Sequence, residues 1–277
     1  MKRRILKLSA LAAALILIAG VCWFANGLVG NPISKAMAKN TAEAYLKAQY
    51  PQSDYEIERV SYSFKDSGYY AHVTSPGSMD GDFTLRLSML GELTNDDYKL
   101  RVEGHGNVAN RLFFAYRDMV DTVLDSHAYP YTVSMGFGSL EFDREVGEAE
   151  VEGALTRGDL VNDRFYNVGA LGATNGELVL YIDSDTVTYE KAAEILLKTR
   201  ELLDQSDISF YSVHFVLQYP PYNEEESYAR PDGKINLRDF LYTDIYEDGL
   251  IERVQACHEA TEAYYREQDA EKQKEQP

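Results

Sequence analysis

The chain has 277 residues, 45 % of them hydrophobic and 12 % aromatic, which excludes a disordered or collagen-like polymer and leaves enough apolar material for one large core or two ordinary ones. Against 27 Lys and Arg stand 45 Asp and Glu, a formal charge of −18. A surface of that sign repels phosphate backbones, so nucleic acid is the first partner class to be excluded.

The amino-terminal stretch holds Lys2, Arg3, Arg4 and Lys7, followed by 22 uncharged residues from Leu8 to Val29. At about 1.5 Å per residue such a run reaches roughly 33 Å, against about 30 Å of hydrocarbon. Residues 1–30 are therefore expected to form a short cytoplasmic tail and a single-pass transmembrane signal anchor, which places the rest of the chain outside the cytoplasm by the positive-inside rule. Two other readings give the same side: a signal cleaved after Ala25-Asn26-Gly27, and a lipoprotein signal at Cys22, which Val21 disfavours. Cys22 and Cys257 lie too far apart in this organisation to pair, so the exported part must depend on core size alone.

Residues 31–130 are expected to form a first exported domain. Asn31-Pro32 suits a helix start, Ile33, Met37, Thr41, Ala44, Tyr45 and Ala48 recur at helical spacing, and Tyr50-Pro51 ends the run. Three strand-like segments follow, Tyr55 to Lys65, Tyr69 to Ser75 and Phe83 to Leu90, the last alternating apolar and polar residues. The helix-then-meander order resembles that of cystatin and PepSY modules. From Asn107 to His127 two adjacent apolar rows, Leu112, Tyr116, Met119 and Val123 beside Phe113, Val120 and Leu124, predict a helix wedged between layers, closed by Pro130.

Residues 131–270 are expected to form a second α+β sandwich. Strands are predicted near Met135 to Phe142, Glu177 to Asp183, Phe210 to Tyr219 and Lys234 to Tyr242, with helices at Tyr189 to Asp204 behind a Thr188 cap and from Asp248 to about Glu271. That order is compatible with a ferredoxin-like sandwich. The stretch before Gly176 reads as irregular, and residues 271–277 as a frayed charged tail.

Gly30-Asn31-Pro32-Ile33-Ser34-Lys35 leading into Thr41-Ala42-Glu43-Ala44-Tyr45-Leu46, Tyr62 to Pro76, and Asp239-Phe240-Leu241-Tyr242 leading into Glu252-Arg253-Val254-Gln255 together resemble the YfjL-like family of membrane-anchored proteins from Gram-positive bacteria. The resemblance implies an architecture and brings no activity, ligand or catalytic residue.

No catalytic, cofactor or metal motif is complete. His258-Glu259 with Glu262 approaches the zinc-protease helix, but Glu262 stands where the second His belongs, so the flank is expected to be solvated. Asp183 and Asp185 open like a calcium loop that Val187 breaks, and Asp80-Gly81-Asp82 reads as a turn. His72, His105, His127 and His214 are scattered. The 21 tyrosines are the unusual feature. Most are expected in strands and half-buried core, but the loop from Tyr219 to Gly233, with Tyr222, Tyr228 and Glu224-Glu225-Glu226, offers apolar anchors on a proline-stiffened acidic segment, a candidate surface for a basic partner. The sequence thus predicts a non-catalytic extracytoplasmic binding or modulating module of the envelope, with an unidentified envelope protein as partner and the membrane contacted through the amino-terminal helix. The alternative is an exported hydrolase acting on wall or peptide substrates through a carboxylate pair that only the fold can reveal.

Overall fold

The structure is a computed structural model that describes residues 2–143, 151–221 and 233–275, without the side chains of 2–10, 22, 23, 26 and 273–275. The chain is α+β, with two four-stranded sheets in two compact units. The first unit takes Met1–Val108 together with Val161–Asp163, and the second takes Ala109–Leu160 and Arg164–Pro277.

Helix α1, Lys2–Val29, carries the apolar run. Among the described residues no helix is long and apolar enough to cross a membrane, which corrects the expected transmembrane helix at Leu8 to Val29.

Helix α2, Pro32–Gln49, begins as expected: the Asn31 side chain accepts from Ser34 N at 2.7 Å and Pro32 occupies the first turn. Its buried row is Ala38, Ala42 and Leu46, one position round from the predicted Met37, Thr41 and Tyr45. Two alanines let the helix lie close on the sheet, and Ile33 and Met37 are left 74 % and 42 % exposed. The meander is β1, Glu56–Ser63, β2, Gly68–Thr74, β3, Phe83–Ser88, and β4, Leu93–Asp96, antiparallel throughout. In β3, Phe83, Leu85 and Leu87 are buried while Thr84, Arg86 and Ser88 are half-buried, so one face meets the core and the other stays polar. The predicted third strand therefore ends at Ser88, and the fourth strand follows a turn in which Gly91, at φ +79, packs against Met37.

Helix α3, Gly106–Leu124, belongs to the second unit from Ala109 onward. Leu112, Tyr116 and Val120 are almost wholly buried, and Tyr116 and Val120 press on Gly138 of β5, Thr132–Leu140, where a Cβ would come within 2.7 Å of both. This packing sets the division at Val108, not near residue 130. Helix α4, Val168–Asn175, lies in the stretch expected to be irregular, and leads into β6, Gly176–Asp183. Then come α5, Tyr189–Gln205, capped by Thr188, β7, Ser212–Gln218, β8, Ile235–Leu241, and α6, Leu250–Glu275. The sheet order is β5-β6-β7-β8, with β6 and β7 parallel across α5 and the outer pairs antiparallel. A ferredoxin-like sheet holds another strand between the two that flank its crossover helix. Here β6 and β7 pair directly from Glu177 with Ser212 to Asp183 with Gln218, so the ferredoxin-like order is replaced by a sequential one.

Candidate functional site

At the carboxyl end of α2 the chain is turned by Tyr50-Pro51, and Tyr50 N still bonds back to Leu46 O at 2.8 Å. The turn and the first residues of β1 enclose an open groove of about 480 Å³. Leu46, Tyr50, Pro51, Tyr55 and Ile57 supply its apolar lining, with Glu43, Lys47 and Glu56 among its polar residues. Tyr50 sits in a cluster of rings, 4.6 Å from Tyr98, 5.5 Å from Tyr55 and 5.6 Å from Phe83 between centroids, in edge-on or tilted arrangements favoured by the ring quadrupoles. The hydroxyls of Tyr45 and Tyr50 both donate to Asp96 Oδ2, at 2.7 and 3.0 Å, and Asp96 Oδ1 accepts from Tyr98 N at 2.8 Å. Burial, reinforced by these bonds to a carboxylate, raises the pKa of both hydroxyls above the usual tyrosine value. The rings are therefore neutral and fixed in direction before anything binds, which lowers the ordering cost of using them as a contact surface.

A second groove, of about 700 Å³, lies in the second unit between α5 and the segment before α6. Glu194, Glu201, Asp204 and Glu247 line it, the sort of acidic cleft a hydrolase would need. Their partners point elsewhere. Glu194 accepts from Lys191 at 2.7 Å and Tyr131 at 3.1 Å, Glu201 from Lys198 at 2.9 Å, and Asp204 from Tyr242 at 3.1 Å. Lysine hydrogen bonds hold Glu194 and Glu201 below the usual carboxylate range, the opposite of the raised pKa a general acid requires.

One nucleophile-like pair escaped the sequence reading. On the polar face of the first sheet Ser61 Oγ lies 3.1 Å from His72 Nε2, and burial, then Arg59, lowers the imidazole pKa. Cross-strand pairing brings them together, since His72 faces Arg59 and Ser61 faces Tyr70, and no local motif encodes that. Among the described contacts no carboxylate holds the other ring nitrogen, so the orienting member of a triad is not in place.

Of the predicted partner residues, Tyr219 follows β7, with Gly233 at φ +79 directed at its ring. Tyr222 and Tyr228 lie outside the described residues, so the structure assembles no surface from the three. His258 is not on a solvated flank: it is half-buried, with Nδ1 3.2 Å from both Asn236 N and O, and docks α6 on β8. Among the described residues no group of three or more His, Cys, Asp or Glu could hold a metal ion.

Comparison with protein families gives two matches, the YfjL-like N-terminal domain over residues 5–101 and the YfjL-like C-terminal domain over residues 115–255. The chain belongs to the YfjL-like family. The two YfjL-like domains part between residues 101 and 115, on either side of the division at Val108. No curated protein and no solved structure matches the chain.

Proposed function

We propose that this YfjL-like protein is a non-catalytic binding module of the cell envelope whose contact surface is the tyrosine groove of the first unit. The observation that carries the reading is the pair of hydroxyls from Tyr45 and Tyr50 on one oxygen of Asp96, which holds half-buried rings rigid around an open apolar groove. A groove of this size takes one or two apolar side chains of an extended segment, and Glu43, Lys47 and Glu56 at its rim would orient the segment's polar backbone and charges. What supports an extracytoplasmic location is the basic Lys2 to Lys7 stretch ahead of the apolar run, the order found in export signals.

The test places a photo-cross-linking residue at Lys47 and, as control, at Lys198 in the second unit, both in intact cells. Adducts of one defined mass are expected from Lys47 and should disappear when Tyr55→Ala is added. Since Tyr55 contributes to the ring cluster, Glu56→Arg serves as a second variant that alters the rim without touching the rings. Equal adducts at both positions, or adducts indifferent to both variants, would remove the groove as the contact surface. Fractionation of the same cells tests the location, with recovery in the cytoplasmic fraction alone arguing against it.

A further inference from the structure

Four segments of the first unit converge at the end opposite the tyrosine groove. Tyr62 donates to Gly27 O at 2.8 Å, and Tyr69, its ring tilted against Tyr62 with centroids 5.2 Å apart, bonds through its hydroxyl to Asn31 N and O at 2.8 and 3.0 Å. The end of α1 and the start of α2 are thereby fixed beside the β1–β2 turn, and Gly91 of the β3–β4 turn abuts Met37. Every one of these segments presents apolar surface: Phe24 is 63 % exposed, Ile33 74 %, Phe64 59 % and Leu90 70 %. Phe24, Leu28, Tyr62, Phe64 and Met89 also enclose a hollow of about 400 Å³. Exposed apolar patches of this extent mark interaction sites.

We propose that this end of the first unit rests on an anionic lipid surface, with Ile33, Phe64 and Leu90 in the interfacial layer. Two observations select lipid over a protein face. The apolar surface continues along α1, where all of residues 11–21 are uncharged and exposed. In a chain of charge −18, residues 31–42, at the start of α2, hold Lys35 and Lys39 and no acid, and Lys65 stands next to Phe64. The acids at this end are Asp66 and Glu92, and Asp66 is already engaged by Tyr70 at 2.7 Å, Ser63 at 2.8 Å and Arg86 at 3.3 Å. Basic residues flanking an apolar contact are what anionic headgroups attract. The contact needs no spanning helix, because turn residues of the folded unit supply it.

The test uses the full chain with Cys22→Ser and Cys257→Ser, labelled at Leu90→Cys with an environment-sensitive dye and, as control, at Glu259→Cys on α6. With phosphatidylcholine vesicles containing phosphatidylglycerol, the Leu90 dye should shift to the blue and be quenched by lipids brominated in the acyl chain, while the control dye does neither. Partition should weaken several-fold when phosphatidylglycerol is omitted, and about tenfold in the Phe64→Ser, Leu90→Ser double variant. Both substitutions lie on exposed turns, and an unchanged circular dichroism spectrum would show that the fold is kept. A Leu90 dye that stays in water while the protein is vesicle-bound, a shift that appears without lipid and grows with protein concentration, or absence of vesicle binding would each overturn the proposal.

Discussion

Asn175 is fully buried at the end of α4, and its amide is used completely. Nδ2 donates to Glu141 O at 2.7 Å and Leu155 O at 2.8 Å, while Oδ1 accepts from Leu155 N at 3.1 Å and Thr174 Oγ1 at 3.0 Å. Asn175→Ala leaves backbone groups without partners and should cost roughly 2 to 3 kcal/mol, read as a fall in melting temperature of about 5 to 10 °C. The tyrosines give a second residue-scale expectation. An acid-rich chain with few bases uses phenols as neutral donors: Tyr45 and Tyr50 to Asp96, Tyr70 to Asp66, Tyr131 to Glu194 and Tyr242 to Asp204. Burial, then the bond to Glu194, pushes Tyr131 up to about 12. The unfolded chain loses the Tyr131 proton first, near pH 10, so the contribution of this group is complete below that pH and is lost as pH rises towards about 12. Alkaline titration should therefore show tyrosinate absorbance rising together with loss of the circular dichroism signal, and not before it, for the buried fraction. The abundance of tyrosine was legible in the sequence. Its pairing with carboxylates was not, because Tyr45 and Asp96 are joined only by the fold.

At the scale of elements, capping chemistry was readable where it is local. Asn31 and Thr188 bind the amides three residues on, as their positions before apolar rows imply. Helix α4 was not readable, because Gly169, Gly172 and Gly176 look like loop chemistry. In the fold they permit contact: a Cβ on Gly169 would stand 2.2 Å from Asp207 O, and one on Gly172 would stand 1.8 Å from Ser209 O. The helix is pressed against the chain that leads into β7, and Tyr116 closes the same place by donating to Ser209 O at 2.7 Å. Gly172→Ala must displace backbone, so it should destabilise by about 3 kcal/mol or more despite the helix propensity it adds. A denaturant midpoint unchanged in this variant would contradict the packing. Strand β4 was missed for the opposite reason, since Leu93 is the one apolar residue of its four and alternation has nothing to act on.

For the whole molecule, the position of α3 decides how the chain can be divided. The sequence showed a helix with two apolar rows, which fits either neighbour, and only the burial of Tyr116 and Val120 against Gly138 assigns it to the second unit. A fragment of residues 106–277 should therefore melt cooperatively, while residues 131–277 should give a broad transition and bind a hydrophobic dye, because the strand β5 has lost its cover. Calorimetry of the two fragments separates these outcomes, and equal cooperativity would return the boundary to residue 130. The groove at Tyr50 and the apolar end at Ile33 lie at opposite ends of α2, roughly 27 Å apart for its 18 residues. Contact at one end thus leaves the other accessible.

Val161–Asp163 belongs to the first unit although the segment Ala109–Leu160 of the second comes before it in the chain. Asp163, at φ +62, accepts from Ser78 Oγ and Met79 N and donates its amide to the buried Asp80, while Asn162 meets His105 and Val102 O. During synthesis at about 5 to 20 residues per second, the ribosome delivers this clasp several seconds after Val108. The turn around Asp80 waits that long for its fastening, so the first unit to be made is not the first to be finished.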